Sequence, residues 1–193
     1  MAFFPPDKTS TKTISYNYTI PPAPEPVKTL DIVSIETFPE GNLYVMPGDR
    51  IKFKVKALPG STVMANGKIP LYEMPNNKMP GIYQGEYVVK ETDSFLVSKI
   101  QVSLTDSAGN TISKQSKYWV SMFSPQMPNV AVTKGRLAHL LFGLGDDRLG
   151  GAKIGYIDSM IPLKVVGKVG SDYKVQLSKY RTAYIPDDLV EFL

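Results

Sequence analysis

The chain has 193 residues, 42% of them apolar and 21% charged. That is enough for one large domain or two small ones with buried cores, and it is not the composition of a disordered tail. Cysteine is absent and histidine occurs once, which excludes disulfides, thiolate metal sites, a cysteine nucleophile and a His–His metal pair.

The net charge of +4 is spread thinly. Residues 1–28 carry three cations against two acids, 29–128 ten against nine, and 129–193 nine against seven. A nucleic-acid binder gathers its cations on one face or element, and this chain does not. No apolar run approaches the roughly 20 residues of a membrane-spanning helix. The start, Met1-Ala2-Phe3-Phe4-Pro5-Pro6, has neither the basic end nor the apolar stretch of a signal peptide.

Residues 11–20 are rich in β-branched and aromatic side chains and predict a strand. The run Pro21-Pro22-Ala23-Pro24-Glu25-Pro26 that follows reads as an extended, stiff linker. Residues 1–28 are therefore taken as an N-terminal strand and linker.

From 29 to 121 short strands recur. Residues 50–58 alternate, with Arg50, Lys52, Lys54 and Lys56 on one face and Ile51, Phe53, Val55 and Ala57 on the other. A period of two means one wet face and one buried face. Pro47-Gly48-Asp49 turns into this strand and Pro59-Gly60 ends it. Asn66-Gly67, between 62–65 and 69–72, is a two-residue hairpin signal. Further strands are expected at 30–38, 81–90, 96–105 and 111–120, the last two joined by Asp106-Ser107-Ala108-Gly109-Asn110. About seven strands at this cadence predict an immunoglobulin-like β-sandwich over 29–121.

Residues 122–128 hold two prolines and no periodicity, and read as a linker. Strands are then expected at 129–134, 153–157, 161–168, 173–178 and 182–185, with a short apolar segment at 137–144. The segment 186–190 resembles the single 3-10 turn that closes an SH3-like barrel. This set fits a small SH3-like barrel over 129–193.

Candidate chemistry is sparse. In the loop 143–151, Gly145 and Gly150 have phosphate-loop spacing, but Gly151-Ala152 stands where Lys-Ser/Thr belongs, and Arg148 replaces the third glycine of a dinucleotide loop. Asp146 and Asp147 lack EF-hand spacing, so the loop is read as structural. His139 lies among apolar neighbours and is read as packed, since zinc needs three or four ligands. No Gly-x-Ser-x-Gly elbow is present. Trp119 is read as a core or junction plug. The aromatic residues of the last third are the better candidates. Tyr173, Tyr180 and Tyr184, with Arg181, combine flat rings and polar tips suited to sugars or peptides.

Residues 129–193 resemble a bacterial SH3-type (SH3b) domain, on the stretches 152–157, 161–168, 172–177 and 183–190. Ala183-Tyr184-Ile185 stands where that family has Gly-Trp-Val. With the sandwich from 29, and on the runs 43–59 and 132–156 above all, the chain resembles the non-catalytic N-terminal region of Bacteroidetes-type N-acetylmuramoyl-L-alanine amidases. The resemblance implies a periplasmic or secreted cell-envelope protein that positions a downstream zinc amidase domain on peptidoglycan. It implies no catalytic residue, metal or cofactor in this chain, with zinc belonging to the downstream domain. Glycan or stem peptide is the implied partner, and nucleic acid is not. Asp106-Ser107-Ala108 and Asp158-Ser159-Met160 match a glycan-attachment pattern of related bacteria. The alternative is a scaffold or regulatory module that contacts a protein partner or the catalytic domain and binds no wall.

Overall fold

A computed structural model describes residues 12–19, 22, 25–75, 79–124, 126–144 and 151–193. The protein is all-β, with no α-helix among the described residues. The strands are β1 (Ile32–Phe38), β2 (Leu43–Val45), β3 (Arg50–Ala57), β4 (Thr62–Ala65), β5 (Ile69–Glu73), β6 (Ile82–Val88), β7 (Ser98–Thr105) and β8 (Thr111–Met122). They continue as β9 (Val130–Thr133), β10 (Ala138–Leu141), β11 (Lys153–Ile157), β12 (Pro162–Val169), β13 (Asp172–Ser178), β14 (Arg181–Pro186) and β15 (Val190–Phe192). A 3-10 turn, Asp187–Leu189, precedes β15.

The local signals explain the elements. In β3, Ile51, Phe53, Val55 and Ala57 are buried and the intervening lysines are not, as a period of two dictates. The β4–β5 hairpin turns through Asn66 and Gly67, both at positive φ (47° and 64°), with Lys68 N–H donating to the Ala65 carbonyl. That is the primed turn whose twist matches its strands. Asp106 anchors the β7–β8 turn: its carboxylate accepts from the backbone N–H groups of Ala108 and Asn110 and from the Asn110 side chain. The Asn110 amide, joined by those backbone donors, holds the Asp106 carboxyl below its ordinary range.

All fifteen strands join one mixed sheet that runs β1-β3-β6-β5-β4-β7-β8-β2-β12-β13-β14-β10-β11, with β9 on β12 and β15 on β9. Every pairing is antiparallel except β2 with β8. Inside β5 the chain changes neighbour: Leu71 and Pro70 pair with β4, while Tyr72 and Glu73 pair with β6.

Two apolar clusters lie against this sheet. The first gathers Ile32, Leu43, Phe53, Val55, Val63, Tyr83, Val102 and Leu104 among others. The second gathers Ala131, Leu140, Val165, Val175, Ala183 and Ile185. Tyr83 is buried in the first, where its hydroxyl donates to the Leu58 carbonyl and accepts from Ser61 N–H. Burial, more than any other influence, raises its ionisation above the ordinary tyrosine value.

Some expectations fail or fall elsewhere. Residues 12–19 carry no strand and pair with none among the described residues. Their β-propensity is real, but a strand also needs a partner edge, which propensity does not supply. β2 and β15 went unpredicted; three residues are too few to show a period. β8 runs on to Met122, past the point expected for a linker. Residues 145–150 of the glycine-rich loop lie outside the described residues.

Candidate functional site

The site is built around β2. Leu43 and Val45 point into the first cluster and are buried, so the residue between them, Tyr44, faces the other way. β2 lies between β8 and β12, with Leu43 opposite Val120 on one side and Val169 on the other. This three-residue strand therefore joins the segment up to Met122 to the segment from Val130 onward. Tyr44 meets the Trp119 ring edge-on at 5.0 Å between centroids. The Trp119 backbone N–H donates to the Asn42 side-chain oxygen Oδ1 at 3.2 Å.

Close backbone approach makes the join. A Cβ at position 167 would lie 2.8 Å from the Tyr44 carbonyl oxygen, so glycine there lets β2 reach β12. Beside it, Gly170 N–H donates to the Asn42 carbonyl at 2.9 Å.

The chain leaves β2 through a turn in which Pro47 and Gly48 (φ 93°) take the two central positions of a type II geometry. Asp49 N–H donates to the Met46 carbonyl at 3.0 Å, and Met46 N–H donates to Asp49 Oδ2 at 2.9 Å. The other carboxylate oxygen, Asp49 Oδ1, pairs with Lys174 Nζ from β13. Opposite Lys174 on β14 stands Tyr184, on the same face of the hairpin. Pro39, Tyr44, Asp49, Arg50, Lys174 and Tyr184 are among the residues lining a cleft of about 270 Å³ at this join. It offers an aromatic ring beside an ion pair, which suits a ligand with an apolar sugar or peptide face and polar edges.

A second cleft of about 240 Å³ opens on the first cluster. Phe53, Phe95, Ile100, Lys68, Tyr87 and Asp93 are among the residues lining it. The Lys90 backbone N–H and the Tyr87 hydroxyl both donate to Asp93, and in that order they hold its carboxyl below the ordinary range. This carboxylate is committed to its own loop.

The four aromatic and basic candidates do not form one surface. Tyr184 lines the first cleft and packs against the first cluster. Tyr173, one register position away, faces oppositely. It packs against the second cluster, edge-on to Phe192 at 5.1 Å, with Lys168 Nζ 4.5 Å from its ring centre. The alternation of β13 separates the two, because Tyr173 shares the inward face of Val175 while Lys174 shares that of Tyr184. Tyr180 and Arg181 sit at the tip of the β13–β14 hairpin, Tyr180 being 86% exposed. His139 is half-buried in β10, opposite Tyr156 and edge-on to its ring at 6.4 Å.

Sequence reasoning missed Tyr44, Asp49 and Lys174. The Pro47-Gly48-Asp49 turn was visible, but its long-range partner, Lys174, was not.

Acidic side chains crowd the other end of the β13–β14 hairpin. Burial, and then the nearby Asp187, push the Asp172 carboxyl above its ordinary value. Lys168 pairs with Asp187 at 3.0 Å. Burial opposes the Lys168 charge, but Asp187 and the Tyr173 hydroxyl together keep its ionisation above the ordinary lysine value. A carboxyl that ionises less readily in the folded state binds its proton more tightly there than in the unfolded chain. Stability therefore falls as pH rises from the unfolded carboxylate value through the raised folded one. Asp172→Asn is accordingly expected to raise the melting temperature at pH 7 and to leave it unchanged at pH 3, as read by calorimetry.

Among the described residues, no group of three or more His, Asp or Glu side chains is placed to hold a metal ion. Nor is any helix among them long and apolar enough to cross a membrane. No protein-family model, no curated protein and no solved structure matches this chain.

Proposed function

We propose that this chain is a non-catalytic binding region that positions a zinc-dependent N-acetylmuramoyl-L-alanine amidase domain on peptidoglycan in the cell envelope. In this reading residues 29–121 are an immunoglobulin-like sandwich and residues 129–193 an SH3b-like barrel, joined by 122–128. The amidase and envelope parts of this reading are what the resemblance of residues 29–193 implies; the observation that supports the binding part is the cleft at β2, where the Tyr184 ring stands beside the Asp49–Lys174 pair. A flat ring takes the apolar face of a wall sugar, and the charges take the amides and carboxylates of a stem peptide. The strand cadence supports the fold assignment, as does the 3-10 turn placed just before the last short strand. Tyr180 and Arg181, at the exposed hairpin tip, are secondary contacts.

Co-sedimentation with purified sacculi tests the proposal. The wild-type chain is expected to pellet with the wall. Tyr184→Ala is expected to weaken binding about tenfold or more, the effect of losing about 1.4 kcal/mol at a buried aromatic anchor. Tyr180→Ala and Arg181→Ala, at an exposed rim, should cost less. A wild-type chain that stays in the supernatant overturns the proposal. If it also changes amidase turnover in solution, the scaffold reading replaces it.

A further inference from the structure

Of the residues lining the second cleft, Ile51, Phe53 and Ile100 are buried, while Asn66 and Lys68 are exposed. The cleft therefore joins apolar side chains of the first cluster to polar side chains in contact with solvent. Its volume of about 240 Å³ lies just below the roughly 300–1,000 Å³ of sites for drug-sized ligands. One amino acid suits that space better than an oligosaccharide or a peptide.

Two of the lining residues offer hydrogen-bond donors, and both come from the β4–β5 turn. Asn66 is clamped to Gln101: its backbone N–H donates to the Gln101 carbonyl at 2.7 Å, and its Oδ1 accepts from Gln101 N–H at 2.9 Å. With Oδ1 taken by a backbone donor, the free end of the amide is Nδ2, which can only donate. Lys68 Nζ, also a donor only, enters none of the ion pairs among the described residues.

The acceptor comes from another segment, the connection from β6 to β7. The Tyr87 hydroxyl and the Lys90 N–H both donate to Asp93 Oδ2, each at 2.7 Å. The loop thus holds this carboxylate through one oxygen, and Oδ1 has no hydrogen-bond partner among the described residues. The Lys90 bond and then the Tyr87 bond hold the carboxyl low, and the Lys68 charge adds to the effect. Lys68 and Asp93 are therefore near each other, yet no ion pair joins them.

Opposite charges at one cleft, left unsatisfied by each other, select for a ligand that carries both. A simple anion would face Asp93, and a simple cation would face Lys68. The buried aromatic and aliphatic side chains add a requirement for an apolar body. An amino acid with an apolar side chain meets all three conditions.

We propose that the second cleft binds a free α-amino acid with an apolar side chain. Its carboxylate accepts from Asn66 Nδ2 and Lys68 Nζ, its ammonium group donates to Asp93 Oδ1, and its side chain packs against Phe53 and Phe95. Tyr87 is a positioning residue, since it acts by holding Asp93. This site is separate from the cleft at β2 and does not depend on the wall-binding reading.

The test is a titration of the isotope-labelled full chain with L-phenylalanine, followed in amide NMR spectra. Saturable shifts are expected in the 66–69, 87–95 and 98–101 backbone. Hydrocinnamate lacks the ammonium group, phenethylamine lacks the carboxylate and glycine lacks the apolar body. Each should bind about tenfold more weakly or worse, as the loss of a charged hydrogen bond or of apolar burial dictates. Lys68→Met, on an exposed turn, should reduce phenylalanine binding to the level of phenethylamine and leave phenethylamine binding no weaker. Asp93→Asn keeps an acceptor oxygen for its loop. It should reduce phenylalanine binding to the level of hydrocinnamate and leave hydrocinnamate binding no weaker. Spectra unchanged at the solubility limit of phenylalanine overturn the proposal. So do shifts gathered elsewhere, hydrocinnamate or phenethylamine binding as tightly as phenylalanine, or Lys68→Met binding phenylalanine like wild type.

Discussion

Gly81→Ala is expected to lower the free energy of unfolding by about 2–5 kcal/mol, whereas Gly60→Ala costs about 1 kcal/mol. The two glycines have nearly the same backbone, φ 72° and 71°, so both substitutions carry the left-handed penalty of a Cβ. They differ in what that Cβ meets. At Gly60 nothing lies within 4 Å, whereas at Gly81 the Ala57 carbonyl oxygen lies at 2.2 Å, and it is backbone. Neither partner can rotate away. The Gly81 carbonyl accepts from Ala57 N–H at 2.8 Å, and Gly81 N–H donates to Glu73. The same Glu73 carboxylate accepts from Gly60 N–H. Moving Gly81 therefore disturbs the end of β3 and the carboxylate that ties it to β5. Urea denaturation of both variants separates strain alone from strain plus collision, and equal losses would contradict this account.

Lys174→Met is the second large expectation. The Asp49 and Lys174 side chains are 18% and 19% exposed, between the exposed pairs that contribute about 0–1 kcal/mol and the buried ones whose breakage costs about 3–5 kcal/mol. Methionine keeps the stem and removes the charge, leaving Asp49 Oδ1 half-buried without its cation. The expected loss is roughly 2–3 kcal/mol, and it should persist in high salt, because a pair shielded from water is screened little. Arg50 supplies the comparison. Its bond to Glu86 is short, at 2.6 Å, but the arginine side chain is 66% exposed. Arg50→Ala should cost about 1 kcal/mol at most and lose that effect as salt is added. Lys174→Met that unfolds like wild type would show that the pair does not hold the cleft together.

Much of the local structure was legible because local rules set it. The alternation of 50–57, the Asn66-Gly67 turn and the strand at 153–157 each depend on a few adjacent residues. The unread part depends on residues far apart. Nothing near Leu43-Tyr44-Val45 announces a strand, and its neighbours Val120 and Val169 are distant in sequence. The cleft inherits this difficulty, since Asp49 and Lys174 meet across 125 positions. Tyr173 and Tyr184 were grouped by composition, but the pleat sends them to opposite faces. Residues 11–20 show the converse: the sequence has strand character, and pairing decides whether a strand forms.

The most direct test of the binding account is a solution titration of the isotope-labelled chain with a soluble disaccharide-tetrapeptide wall fragment, followed residue by residue in amide NMR spectra. Saturable shifts confined to the 42–50, 167–174 and 182–186 backbone around Tyr44, Asp49, Lys174 and Tyr184 are the predicted result. Shifts gathered at the Tyr87–Asp93 cleft, or spectra unchanged at saturating fragment, would contradict it.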